Sequence, residues 1–220
     1  DPGMLTYVGD AAQLDGTGPA GIVITTAELA PRMTAATAVL SVDNPRLAFA
    51  RAVGLCLAND ASPGAETPAQ AGSQIDPGAV IAPTAVIGAG VVIGANSVVG
   101  ANSVIGGGVQ IGDNCSIGDN CTLSHCELDD GCSLQAGVVL GAAGFGFEIT
   151  GDAPVMIPHI GILRLGRGVC VGANSAIDRG SLGDTVIGDF VMIDNLVHIA
   201  HNCEIGDRCV IAGQVGIAGS

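Results

Sequence analysis

Aliphatic residues recur at every sixth position through the middle of this chain. The first series is unbroken and consists of Ile75, Ile81, Ile87, Ile93, Val99, Ile105, Ile111, Ile117 and Leu123. The same interval returns at Leu165, Val171 and Ile177, and then from Ile187 to Ile217. Helices repeat their apolar residues near every 3.6 positions and strands at every second one, so this period argues against a helix bundle or a sandwich. It predicts a solenoid over about two thirds of the chain.

Two further columns of the repeat predict where the chain turns. Three positions after each aliphatic residue stand Gly78, Thr84, Gly90, Asn96, Asn102, Gly108, Asn114 and Asn120. Gly and Asn reach the left-handed backbone region most cheaply, so we expect one sharp corner in each hexad. The position after the corner is always small, as at Ala79 and Ser97. A short strand, a corner and a small inward residue, repeated, predict flat sides that stack from coil to coil at about 4.8 Å.

Composition and charge narrow the range of functions. The chain carries 35 Gly and no Trp, which suits a narrow solenoid interior. Its net charge is −14, with seven Arg and no Lys, so nucleic acid is not expected as a partner. We find no apolar run long enough to span a membrane and no signal-like start, which predicts no integral membrane segment and the cytoplasm as the default location.

Eight cysteines raise the question of a zinc or disulfide site. No Cys-x-x-Cys pair is present, which disfavours a zinc motif. Cys115, Cys121, Cys203 and Cys209 fall on the small column that follows the corner, where Cys serves as a small apolar residue. We therefore expect these thiols to be structural.

The sequence divides into three segments. Residues 1–58 predict a small α/β module, with two strands followed by a helix that begins at Asn44-Pro45. Residues 59–72 are rich in Pro, Gly, Ala and Ser and predict a linker. Residues 73–220 form the solenoid, which an excursion at 141–164 and a four-residue slip at 178–181 interrupt. The last coil lacks a capping segment, so we expect the N-terminal domain and the solenoid to be incomplete at their outer ends.

The histidines are the first candidates for chemistry. Only four are present, at positions 125, 159, 198 and 201. His201 stands two positions after the inward Ile199 and just before the corner residue Asn202, so its ring should point out of the solenoid. Imidazole carries protons near neutral pH, although an outward His at a corner is more often simply solvated. His198 and His201 have no third His one coil away, so we predict no metal site.

Three segments together are more specific than the hexads. They are Gly144-Phe145-Gly146-Phe147, Ile177-Asp178-Arg179-Gly180 and the run 193–202, which ends Ile-Ala-His-Asn. In this order they resemble the UDP-3-O-acylglucosamine N-acyltransferases of lipid A biosynthesis, over essentially the whole chain. The resemblance implies a left-handed parallel β-helix behind a small uridine-binding domain. It also implies a homotrimer with its active sites between neighbouring solenoids.

The same resemblance assigns a reaction and residues. It implies transfer of a 3-hydroxyacyl chain from acyl carrier protein to the 2-amine of UDP-3-O-acylglucosamine. The acyl donor would be the acyl-phosphopantetheine of the carrier, with no tightly bound cofactor. His201 matches the general base and Asp194 an acidic site residue. The expected substrate contacts are Tyr7, which matches a uracil-stacking aromatic, and Asp10, Phe145, Phe147 and Asn202. Asp10 and Gln13 depart from the family pattern for uridine.

Two other functions remain open on the sequence. A related O-acyltransferase acting on UDP-N-acetylglucosamine shares the Ile-Ala-His segment, but a domain of some seventy residues before the hexads speaks against it. A purely structural solenoid explains the hexads but neither the Phe-Gly-Phe excursion nor His201.

Overall fold

The computed structural model describes residues 4–12, 21–59, 71–151 and 153–219. The chain divides into two compact units, one of residues 1–61 with 146–158 and one of residues 62–145 with 159–220. Gln13 and most of the predicted linker 59–72 lie outside the described residues.

The first unit contains a three-stranded parallel sheet and one helix. Its elements are β1 (Leu5–Val8), β2 (Ile22–Thr25), β3 (Ala38–Ser41) and α1 (Pro45–Asn59), and the strand order is β1-β2-β3. Asn44 caps α1, since its side-chain oxygen accepts a hydrogen bond of 2.9 Å from the amide of Leu47. Ile24 and Phe49 are buried between the sheet and α1, while Val8 and Val23 fill the opposite face. The sequence predicts two strands and a helix in this segment, and the structure has β3 as a third strand before α1.

A hairpin from the excursion belongs to this first unit. It consists of β16 (Phe147–Ile149) and β17 (Pro154–Met156), which pair antiparallel. Glu148 accepts a hydrogen bond from Asn44 and forms an ion pair of 3.5 Å with Arg46. The sequence analysis placed the whole excursion within the solenoid, whereas these contacts tie its middle part to the start of α1.

The second unit is a solenoid with three parallel sheets of seven strands each. The first sheet contains β4 (Gln74–Ile75), β7 (Val92–Ile93), β10 (Gln110–Ile111), β13 (Cys126–Leu128), β18 (Leu163–Leu165), β21 (Thr185–Ile187) and β24 (Glu204–Ile205). The second contains β5 (Val80–Ile81), β8 (Val98–Val99), β11 (Ser116–Ile117), β14 (Ser133–Leu134), β19 (Cys170–Val171), β22 (Met192–Ile193) and β25 (Val210–Ile211). The third contains β6 (Val86–Ile87), β9 (Val104–Ile105), β12 (Thr122–Leu123), β15 (Val139–Ala142), β20 (Ala176–Asp178), β23 (His198–Ile199) and β26 (Gly216–Ile217). The predicted fold class is confirmed.

The aliphatic column forms the core of the solenoid. Ile105, Leu123 and Ile177 are fully buried, and each stacks on its counterpart in the next coil of the third sheet. Cys115 and Cys121 fill the small column as predicted, and both are buried. Burial raises the pKa of the Cys121 thiol, which keeps it protonated and inert. Cys209 is exposed because it lies on the last coil that the structure describes.

Most of the predicted corners have the expected backbone. Asn96, Asn102, Asn114 and Asn120 have φ near 57°, and Gly90 and Gly108 are also left-handed. The same conformation occurs at Phe190, Leu196, Arg208 and Gln214, with φ between 57° and 64°. These side chains do not favour a positive φ, so the stacking of the coils imposes it on them.

Candidate active site

The interruptions of the repeat within the described residues all lie on one edge of the solenoid. It is the edge where the chain leaves the third sheet and enters the first. The excursion leaves it after β15, the slip after β20 and the His201 corner after β23, and these three strands are neighbours in the third sheet. The sequence separates them by dozens of residues, and the stacking of coils brings them together.

His201 is half-buried between two glycines on this edge. A Cβ placed on Gly144 would come within 2.7 Å of the His201 ring, and one on Gly219 within 2.8 Å of its Nε2. Both positions therefore need a residue without a side chain. The buried His159 packs edge-on against the same ring, with centroids 4.9 Å apart and planes at 73°. The imidazole is thus held on several sides by the excursion and by the next coil.

Asn202 orients the imidazole from the other side. Its side-chain oxygen lies 2.9 Å from Nδ1 of His201. The same oxygen accepts hydrogen bonds from the amide (3.0 Å) and the hydroxyl (2.6 Å) of Ser181, and the Asn202 amide nitrogen donates to the Gly183 carbonyl. Asn202 has φ of 60°, as the corner column predicts.

A pocket of about 430 Å³ opens beside His201. Its wall consists mainly of small or apolar residues: Phe145, His198, Ala200, His201, Gly216, Ile217, Ala218 and Gly219. Phe145 is 80% exposed at its rim. The pocket therefore offers an apolar surface to a ligand, with two imidazoles, those of His198 and His201, in its wall.

Asp178 supplies a negative charge next to this pocket. It is buried, and one of its carboxylate oxygens lies 3.7 Å from Nε2 of His198. Burial raises the pKa of the Asp178 carboxyl, while the neighbouring His198 and His201 oppose the shift. The sequence analysis quoted Asp178 only as part of a motif. Its place at the start of the four-residue slip was the available signal.

His125 and Arg179 lie along the same edge. Burial lowers the pKa of His125, and the guanidinium of Arg179 lowers it further. Arg179 is half-buried and donates from Nε to the carbonyl of Gly161 at 2.6 Å. The guanidinium thereby joins the loop of the slip to the segment that returns from the excursion.

Asp194 lies at a different corner from His201. It follows β22 of the second sheet, whereas His201 follows β23 of the third. Asp194 is exposed, and its carboxylate accepts hydrogen bonds from the amides of Asn195 (2.8 Å) and Gly213 (3.1 Å). The bond from Gly213 links two successive coils, which accounts for an acidic residue at this position.

The predicted uridine residues lie in the first unit. The Tyr7 ring packs against Phe49, with centroids 5.2 Å apart, and contributes to the core beneath α1. Asp10 is exposed, and its carboxylate accepts a hydrogen bond from the amide of Ala12. Phe147 is half-buried on β16. Phe145 belongs to the second unit and is the predicted aromatic that reaches the His201 pocket.

The described part of the chain lacks two common features, a cluster of metal ligands and a membrane-spanning helix. No three His, Cys, Asp or Glu side chains within it come together in a way that could hold a metal ion. None of its helices has the length and hydrophobicity required to cross a membrane.

The repeat matches a known sequence family. The family described as bacterial transferase hexapeptide (six repeats) matches residues 70–101, 92–125, 108–142 and 184–219. The last segment contains His198, His201 and Gly219. The chain is a member of the hexapeptide-repeat superfamily.

Curated relatives named UDP-3-O-acylglucosamine N-acyltransferase are similar to part of the chain. The chain is 53% identical to the one from Dechloromonas aromatica over 87 residues, which is 40% of this chain and 25% of the relative. It is 51% identical to the one from Granulibacter bethesdensis over 98 residues, which is 44% of this chain and 29% of the relative. The matched region thus spans less than a third of these proteins.

Solved structures are also similar to the chain. The UDP-N-acetylglucosamine O-acyltransferase of Moraxella catarrhalis is 27% identical, with a TM-score of 0.38 over 70% of this chain and 52% of that one. The acetyltransferase domain of PglB from Neisseria gonorrhoeae is 19% identical, with a TM-score of 0.37 over 96% and 97% of the two chains.

Proposed function

We propose that this protein transfers a 3-hydroxyacyl chain from acyl carrier protein to the 2-amine of UDP-3-O-acylglucosamine in the cytoplasm. The observation that carries the proposal is the setting of His201. The ring is fixed by Gly144, Gly219 and Asn202 beside an apolar pocket. The names of the relatives supply the substrate class, and the geometry supports the reaction type.

The chemistry requires one base. The sugar amine attacks the thioester carbonyl, so that a C–N bond forms and the carbonyl oxygen becomes negative. His201 accepts the proton from the attacking nitrogen. The C–S bond then breaks, the phosphopantetheine thiol leaves with that proton, and the amide remains on the sugar. Gly219 lies beside Nε2, so its backbone amide is our candidate donor to the negative oxygen.

The pocket fits the acyl donor better than the sugar. Its apolar wall at Phe145, Ile217 and Ala218 suits an acyl chain or a pantetheine arm. The uridine would bind in the first unit, as the resemblance implies. There, the half-buried ring of Tyr7 would stack on the base.

A homotrimer would complete this open pocket. Exposed apolar residues follow the outer faces of the second and third sheets, namely Val80, Val98, Met192 and Val210 on one and Val86 and Val104 on the other. Such columns are typical of surfaces that meet another subunit. We infer that a neighbouring copy covers one of these faces and faces Phe145.

The decisive experiment is an acyl-transfer assay with purified acyl carrier protein and two acceptors. UDP-3-O-acylglucosamine should accept the chain, and UDP-N-acetylglucosamine should not. His201→Ala should lower the rate of acyl transfer at least about 100-fold without changing sedimentation or thermal unfolding. Transfer to the hydroxyl of UDP-N-acetylglucosamine would favour the O-acyltransferase, and full activity of the variant would eliminate His201 as the base.

A further inference from the structure

The loop at 180–184 has a feature that the acyl-transfer proposal does not use. It overlaps the four-residue slip at 178–181, and Ser181 and Gly183 within it contact Asn202. The Ser181 amide and hydroxyl both point to the Asn202 side-chain oxygen, and the Gly183 carbonyl accepts from the amide nitrogen at 3.2 Å.

These contacts fix which way the Asn202 amide faces. A backbone N–H can only donate and a backbone carbonyl can only accept. The Ser181 amide therefore requires an oxygen opposite it, and the Gly183 carbonyl requires the nitrogen. Turning the amide by 180° would place like groups opposite each other at both ends.

The orientation of Asn202 determines the protonation pattern of neutral His201. The side-chain oxygen that faces Nδ1 at 2.9 Å is an acceptor, so Nδ1 must carry the proton. Nε2, beside Gly219, then presents its lone pair. This is the form that a general base needs.

We propose that Ser181 and Asn202 are positioning residues that hold His201 in its Nδ1–H tautomer. The role of the tautomer in catalysis rests on the proposed function, but the tautomer itself does not. The four-residue slip gives the chain the extra length that places Ser181 opposite Asn202, one coil away. A regular hexad would put a strand at this position and leave the Asn202 amide without its two opposing partners.

Other titratable groups face the same ring. His159 packs against it, and the carboxylate of Asp178 interacts electrostatically with both His198 and His201. The variants below leave all of them in place, so a change in tautomer or pH profile would come from Asn202 or Ser181.

The test combines nitrogen NMR with kinetics on the full chain. The chain has only four histidines, so ¹⁵N-histidine labelling gives four imidazoles, and His201→Ala assigns one of them. In the wild type at alkaline pH, we expect the proton of His201 on Nδ1. Asn202→Ala should give a mixture of tautomers and lower kcat by about 100-fold, with KM changed by less than about twofold.

Three further variants separate positioning from folding. Ser181→Ala should lower kcat by about threefold to tenfold, and Ser181→Thr, which retains the hydroxyl, should restore it. Asn202→Asp should move the rising limb of kcat to higher pH, since a carboxylate opposite Nδ1 stabilises the imidazolium. Asn120→Ala changes a different corner residue that has the same left-handed conformation (φ 56°) on a remote coil. It should leave the tautomer and kcat unchanged.

The outcomes are distinct for the two proposals. If Asn202→Ala keeps the proton on Nδ1, the positioning role is wrong, whatever its activity. If the wild type has the Nδ1–H tautomer but transfers no acyl chain, the proposed function fails while the tautomer assignment stands.

Discussion

The carboxylate of Asp178 lies 3.7 Å from Nε2 of His198 on neighbouring strands of the third sheet. The pair places a buried acid and an exposed imidazole at the margin of the His201 pocket. A buried carboxylate is expensive to keep ionised, so its presence here is better explained by the site than by the stability of the solenoid.

Asp178→Asn should make the protein more stable at neutral pH and less active. Burial raises the pKa of the Asp178 carboxyl above its unfolded value of 3.8. Its contribution to stability is therefore present below that value and is lost as pH rises through the raised pKa. Urea unfolding should show the variant gaining about 1 kcal/mol over the wild type at pH 7.5 and little at pH 4. Its kcat should fall about tenfold, because the imidazolium of His201 loses a nearby negative charge.

Gly144→Ala should damage the site through a direct clash. The new methyl group would lie 2.7 Å from the His201 ring and 2.8 Å from Nε2 of His159, so one ring must move. We expect kcat to fall by at least about tenfold and the free energy of unfolding by about 1–3 kcal/mol. Gly206→Ala is the matched control, since no atom lies within 4 Å of its new Cβ, and it should behave as the wild type.

Leu196→Asn should stabilise the solenoid. Leu196 is 55% exposed and has φ of 60°, which is a strained conformation for leucine. Asn adopts this conformation readily, as at five corners before Leu196. A gain of about 1 kcal/mol in urea unfolding is expected. Leu182→Asn alters another exposed leucine, without a positive φ, and an equal gain there would contradict the backbone explanation.

Asp184→Asn should weaken the loop of the slip in a pH-dependent way. The amide of Ile162 and the guanidinium of Arg164 hold the pKa of the Asp184 carboxyl below 3.8. This stabilisation is present above that value and is lost as pH falls through the lowered pKa. The variant should lose less than about 1 kcal/mol at pH 7, and the difference from the wild type should shrink in acid. Arg164→Gln should lower the free energy of unfolding in dilute buffer by removing the ion pair with Asp184. In about 1 M salt, which screens that ion pair, the variant should match the wild type.

The repeat predicted the solenoid because each hexad contains the residues that determine its own strand and corner. The aliphatic residue, the corner and the small residue act within six positions, so the period, the core and corners such as Asn96 and Asn202 follow from the sequence. The left-handed backbone at Phe190 and Leu196 did not, since those side chains disfavour it and only the stacked neighbouring coils impose it.

The site was predictable only in part, because some of its geometry depends on neighbouring coils. The resemblance identified His201, Phe145 and Asn202, which meet at the pocket and its edge. It did not identify the contacts of Ser181 with Asn202 or of Asp178 with His198, because these contacts cross from one coil to another. The resemblance predicts that the Tyr7 ring stacks on uracil, and the structure shows that this ring packs against Phe49.

The sequence by itself determined the period of the coils, their aliphatic core and most of their corners, because short-range backbone preferences repeat in step with burial. Only the tertiary structure decided which interruptions of that repeat meet. Loops far apart along the chain leave the same edge when their strands are neighbours in one sheet, and that edge is where His159, Ser181 and His201 come together.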